Sequence, residues 1–83
     1  MSAYLADQLK QRGNAEFKAG EYDKAAGLYS QAIQQTPDNH LLYTNRANAR
    51  LKLGLWQEAM DDCLRSIKLF QENMKAFYFL GSS

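Results

Sequence analysis

Residues Leu9–Phe17 read LKQRGNAEF. Lys, Gln, Arg, Ala and Glu are good helix formers, and Leu9, Gly13 and Phe17 recur every fourth residue, as on one face of a helix. Gly-Asn at the centre is a turn dipeptide, and glycine inside a helix costs about 1 kcal/mol relative to alanine. Either the helix breaks here, or the absence of a side chain at residue 13 serves a purpose that offsets the cost.

The rest of the chain decides between these. A shift of 34 residues lays Ala6–Asn39 over His40–Asn73. Arg12 then meets Arg46, Asn14 meets Asn48, Ala15 meets Ala49, Lys18 meets Lys52, Gly20 meets Gly54, Ala25 meets Ala59, Ile33 meets Ile67 and Asn39 meets Asn73. Gly13 falls on Ala47, Phe17 on Leu51, Tyr22 on Trp56 and Ala32 on Ser66, so small residues meet small and large apolar residues meet large. A repeat of this length is one supersecondary unit, which buries its apolar face only by stacking on the next.

Each unit reads as two helices, about Ala6–Ala19 and Tyr22–Gln35, then Leu41–Leu53 and Trp56–Leu69. Gly20 and Gly54 stand where a helix C-terminus takes glycine. Pro37 ends the second helix, and Asp38-Asn39 supplies a cap for the third. A fifth helix is expected from Met74 to the end. Gly13 then belongs to a helix interior. With Ala47, Ala25, Ala32, Ala59 and Ser66 it is a small side chain that lets antiparallel helices approach, while Leu9, Tyr22, Tyr29, Tyr43 and Trp56 fill the space around. The expected fold is all-α: repeat one over 6–39, repeat two over 40–73 and a partial repeat three over 74–83. With the chain ending in mid-helix, it is expected to be a piece of a longer protein, and the uncovered face of the fifth helix is expected to self-associate.

Composition narrows the function. The chain has 83 residues, 46% hydrophobic and 23% charged, which suits one small globular domain. Ten Lys and Arg against nine Asp and Glu leave a net charge near +1, too little for nucleic acid or an anionic membrane surface. The single cysteine, Cys63, permits neither an internal disulfide nor a cysteine metal cluster. No apolar run approaches the roughly 20 residues of a membrane span, and MSAYLADQ is not a secretory leader. A cytoplasmic protein, extending to the nucleus, is expected. No nucleophile–base pairing stands out, GNAEF lacks the spacing of a phosphate loop, and His40 has no second histidine nearby. Neither catalysis nor a cofactor is expected of this chain.

The helix-turn-helix unit of 34, its small residues at unit positions 8, 20 and 27, the aromatics at 17 and 24, and Pro37 at position 32 resemble the tetratricopeptide repeat. The resemblance spans nearly the whole chain. It implies an open right-handed array of antiparallel helix pairs, with the first helix of each repeat lining a concave groove. Cys63 in place of an aromatic and Gln71 in place of proline depart from the pattern.

Packing leaves one stripe unexplained. Lys10, Asn14 and Phe17 lie within an arc of about 60° on the first helix. Leu41, Asn45, Asn48 and Lys52 form a similar stripe on the third, and Lys75 and Phe79 begin another, with Tyr78 beside them. Lysine brings full charge and three donors, and asparagine two donors on a short stem. Such a groove suits a carboxylate, and the aromatics suit an apolar side chain of the same ligand.

Lys10 and Asn14 in KQRGN, Asn45 in YTNRA and Lys75 in KAFYFLG resemble the carboxylate-clamp subclass of tetratricopeptide domains. That subclass binds the Glu-Glu-Val-Asp C-termini of cytosolic heat-shock chaperones of the seventy- and ninety-kilodalton classes. The resemblance implies that Lys10, Asn14, Asn45 and Lys75 hold the terminal carboxylates. It gives Phe17 a place in the pocket for the last apolar side chain; the stripes themselves add Tyr78 and Phe79 to the apolar wall, with Asn48 and Lys52 alongside. Phe79 stands where many clamp domains have arginine, and KAFYFLG, with LKQRGN in repeat one, is similar to the adaptor domain of CHIP-type co-chaperone ubiquitin ligases, which implies that the chain is the chaperone-recruiting part of such a ligase.

Against this stand plainer readings. Each lysine alone is a solvated surface residue, and the domain is then a general scaffold for an internal peptide. The chain also suits a clamp co-chaperone of another kind, a prolyl isomerase or phosphatase. Trp56 and Tyr22 are expected to be packing residues, Cys63 a buried small hydrophobe, and Asp61-Asp62 a solvated, outward-facing pair.

Overall fold

Ser2 and Asn39 start helices in this chain, and Gly20 and Gly54 stop them. The computed structural model describes the backbone of residues 2–82 and the side chains of residues 2–74, and over that span the chain forms four helices. These are α1 (Ala3–Lys18), α2 (Tyr22–Gln35), α3 (His40–Lys52) and α4 (Trp56–Ser82), and no strand occurs among the described residues. α1 begins a turn earlier than the spacing predicts, because Ser2 caps it: the Leu5 N–H donates to Ser2 Oγ at 3.1 Å. Asn39 does the same for α3 through the Leu41 N–H at 3.1 Å.

The two helix ends at glycine are the same motif. After α1 the Glu21 N–H reaches the Glu16 carbonyl at 2.9 Å and the Gly20 N–H reaches Phe17 at 3.0 Å. After α3 the Leu55 N–H reaches Arg50 at 2.9 Å and the Gly54 N–H reaches Leu51 at 3.1 Å. This Schellman arrangement needs a left-handed residue, and Gly20 and Gly54 supply φ of 82° and 78°.

The helices pack in chain order, α1 on α2, α2 on α3 and α3 on α4. Ala25, Ala32 and Ala49 are wholly buried, and Ala47 and Ala59 are 1% exposed, so helix backbones meet where the sequence supplies small side chains. Around them Ala6, Leu9, Ile33, Leu42, Tyr43 and Leu69 form one apolar cluster. Leu42, at 1% exposure, stabilises the array by roughly 1.5–3 kcal/mol relative to an exposed leucine.

α4 departs from expectation. It runs unbroken through residues 70–74, so no separate fifth helix begins at Met74. The reason lies in the departure at Gln71. The corresponding place in repeat one holds Pro37, which cannot continue a helix, whereas Gln71, Glu72, Asn73 and Met74 all can. α4 is then about 40 Å long, and the molecule measures 46 Å along its longest axis.

Three further expectations are corrected. Asp62 is not solvated but 3% exposed, on the face of α4 that meets α3. Its carboxylate accepts from Arg46 Nη2 at 2.7 Å, Arg46 Nε at 2.9 Å and Arg50 Nη1 at 2.8 Å. Two arginines one turn apart on α3 had to find an acid, and Asp62 shares a seam with Ala59, Ser66 and Leu69. Cys63 is exposed rather than buried, and Trp56 is 67% exposed rather than packed. Their counterparts Tyr29 and Tyr22 lie on α2, which has α1 and α3 as neighbours, whereas among the described residues α4 packs closely on α3 only. Tyr22 packs as expected, edge-on to Phe17 with ring centroids 5.1 Å apart.

Candidate functional site

Gly13 is the local event from which the groove is built. It lies buried on α1, and the Tyr29 ring from α2 occupies the space beside it. That close approach carries the Tyr29 hydroxyl to Asn14, where it donates to Oδ1 at 2.5 Å. Burial pushes the Tyr29 phenol above its ordinary 10.0, so at neutral pH it remains a donor. With the amide oxygen engaged, the Asn14 –NH2 group is directed elsewhere and has no partner among the described residues.

Asn14 and Phe17 of α1, Tyr29 of α2, and Asn45 and Asn48 of α3 line one pocket of about 130 Å³. Asn14, Phe17 and Asn45 are half-buried, and Asn48 is exposed at the rim. The pocket therefore combines amide donors and acceptors with two aromatic rings, and the described residues that line it carry no full charge.

A predicted cation on α1 stands one turn away. Lys10 is half-buried and pairs with Asp7 at 3.4 Å. It lines a neighbouring pocket of about 140 Å³ together with Asp7, Thr36, Asn39 and Leu42. Lys52, at the C-terminal end of α3, is exposed and lines neither pocket. Lys75, Tyr78 and Phe79 fall on the C-terminal part of the unbroken α4, and their side chains lie outside the described residues. Of the predicted set, the structure thus joins Asn14, Phe17, Asn45 and Asn48 in one pocket and sets Lys10 beside it.

Two supports were not expected. Tyr29 orients Asn14, and the signal for it is a glycine on α1 facing a tyrosine on α2. Arg46 reaches both neighbours of α3, donating to Ser30 Oγ of α2 at 3.1 Å as well as to Asp62 of α4. This fixes the face of α3 opposite to Asn45 and Asn48. Among the described residues no group of three metal-ligating side chains comes together, and no helix is long and apolar enough to cross a membrane.

Comparison with known proteins agrees with this geometry. The family model of the TPR repeat matches residues 13–54. Tetratricopeptide repeat protein 12 of Mus musculus is 40% identical over 79 residues, covering 95% of this chain and 11% of that protein. The Hsp70-Hsp90 organizing protein of Triticum aestivum is 37% identical over 79 residues, covering 95% of this chain and 14% of its own length. The chain thus spans about a tenth of the length of these curated relatives. Among solved structures, the first TPR of Spaghetti (RPAP3) bound to the HSP90 peptide SRMEEVD superposes with a TM-score of 0.83 at 35% identity, over 94% of this chain and 63% of that one.

Proposed function

The chain belongs to the TPR-repeat family, and on that premise we propose that its groove captures the acidic C-terminal tail of a heat-shock chaperone. The observation that carries this reading is the single pocket shared by Asn14 of α1 and Asn45 of α3, with Lys10 one turn beyond. The similar RPAP3 domain supports it, because that domain is bound to an HSP90 peptide ending in Glu-Glu-Val-Asp.

In this reading the chain does no chemistry. The Asn14 and Asn45 amides donate to the terminal carboxylate and the last peptide groups. Lys10 leaves Asp7 for the carboxylates of the ligand, and Phe17 packs on the final apolar side chain. Lys75 completes the charge from α4, and Tyr78 and Phe79 extend the apolar wall. Chaperones of both the seventy- and ninety-kilodalton classes carry tails of this chemistry, and the adaptor works in the cytoplasm with them. The likeness to CHIP-type ligases rests on sequence in the clamp repeats alone, LKQRGN and KAFYFLG. The relatives compared above are of other kinds, so the proposal stops at tail capture and assigns no ubiquitin transfer.

The test is calorimetric titration with a peptide ending in Glu-Glu-Val-Asp, as the free acid and as the C-terminal amide. Binding of the acid with marked loss for the amide is expected. Lys10→Ala and Asn14→Ala should each weaken the acid by about 1–3 kcal/mol, less than a fully buried charge pair because the groove is open to water. Equal binding of acid and amide would instead assign the groove to an internal peptide.

A further inference from the structure

We propose that Asp7 sets the affinity of the groove, as an internal carboxylate that an acidic ligand must displace from Lys10. The arrangement is local to α1. Asp7 Oδ1 stands 3.4 Å from Lys10 Nζ. Its other oxygen, Oδ2, accepts from Gln11 Nε2 at 2.7 Å. One oxygen is thus anchored by a neutral donor while the other faces the cation. Both side chains line the same pocket of about 140 Å³, one turn from Asn14. Its other polar lining groups are neutral. Thr36 donates its hydroxyl to the Ala32 carbonyl, and Asn39 caps α3 through its amide oxygen. Among the described residues no second cation lines this pocket, so Asp7 has no other lysine or arginine there to turn to.

Helix support explains little of this placement. An ion pair three residues apart adds only slightly to a helix. The helix dipole favours acids in the first turn, whereas Asp7 lies beyond it in a helix that starts at Ala3. The consequence for binding is larger. A ligand carboxylate that reaches Lys10 exchanges one ion pair for another, so Lys10 contributes only the difference between them. The released Asp7 stays beside the incoming anion, tethered by Gln11, and repels it. A neutral chain end has no terminal carboxylate to exchange and leaves the Asp7–Lys10 pair intact. The side chains of Asp7 and Lys10 are 49% and 33% exposed, so solvent screens the pair and the effect is a modest one. This inference rests on tail capture and identifies what limits it.

The test is titration of Asp7→Asn with the peptide ending in Glu-Glu-Val-Asp, as free acid and as C-terminal amide. Both forms carry the same glutamates, so a general change in the field of the groove moves them alike. Asp7→Asn should bind the acid about threefold more tightly and leave the amide nearly unchanged. Raising the salt should shrink the gain. Asp7→Glu, which keeps the charge, should stay near the native affinity. In a Lys10→Ala background Asp7→Asn should give no gain, because no ion pair is left to release. Circular dichroism should show the same helical signal for each variant. If the native chain prefers the acid but Asp7→Asn weakens it, leaves it unchanged, or strengthens acid and amide equally, the proposal is overturned and tail capture stands. A gain that persists without Lys10 overturns it as well. If native chain and Asp7→Asn both treat acid and amide alike, both readings fall.

Discussion

The ring of Tyr29 fills the space that a side chain at Gly13 would need: a β-carbon there would stand 2.6 Å from Cε1 and 2.8 Å from Cδ1. Tyr29 is 2% exposed and tied to Asn14, so it has little room to withdraw. Gly13→Ala gains about 1 kcal/mol of helix propensity but forces an overlap in a packed interior. A net loss of about 1–3 kcal/mol is expected in urea denaturation. A stabilised variant would show that the ring moves freely.

Tyr29→Phe keeps this packing and removes only the hydroxyl. Asn14 then loses the bond that orients its amide, and stability should fall by about 0.5–1.5 kcal/mol. The acidic peptide should bind more weakly, although Tyr29 lies behind Asn14 on the pocket wall. Unchanged affinity would separate Asn14 from Tyr29.

Tyr29 also sets an alkaline limit. Its folded phenol titrates above the unfolded value near 10.0, because burial disfavours the phenolate. The stability it contributes is complete below that value and is lost as pH rises through the folded one. The native chain should therefore weaken more steeply than Tyr29→Phe above about pH 10. Parallel curves for the two proteins would contradict this.

Asp62→Asn should be costly. The Asp62 side chain is 4% exposed, while Arg46 and Arg50 are 17% and 23% exposed. Two cations would lose one shared acid but keep some water. The expected loss is about 2–4 kcal/mol, somewhat below that for a fully buried pair. Thermal unfolding at neutral pH checks it.

Gly54 and Gly27 should respond in opposite directions to alanine. Neither would meet a heavy atom within 4 Å. Gly54, however, holds φ at 78°, where a β-carbon costs about 1–2 kcal/mol. Gly27 lies inside α2 with ordinary helical φ, so alanine there should stabilise by about 0.4–1 kcal/mol. Thermal unfolding of both variants reads the sign directly.

What sequence reasoning reached, and what it missed, follows from which interactions are local. The capping glycines, Pro37 and the small residues act through their own helix or its neighbour, so a repeat of 34 exposed them. The polar stripes of α1 and α3 followed from helical periodicity, and their place in one groove from the family resemblance. The continuity of α4 was equally local, since Gln71 already stood where repeat one has proline. Asp62 was missed because an acid beside another acid reads as surface. Its burial depends on Arg46 and Arg50, sixteen and twelve residues away. Trp56 and Cys63 were assigned by analogy with Tyr22 and Tyr29, and the analogy failed because α2 lies between two helices whereas, among the described residues, α4 packs closely on one.

The bridge from Arg46 to Ser30 on one side and Asp62 on the other also governs rotation. A helix held only by apolar side chains can roll about its axis by small slips between neighbouring grooves. Hydrogen bonds to both flanking helices remove that freedom from α3, and Arg50 adds a second stop one turn along. Asn45 and Asn48 project from the other side of the same cylinder, so their aim is set by an acid that faces away from the groove. Loosening Asp62 would turn the Asn45 and Asn48 amides without altering any residue that lines the pocket.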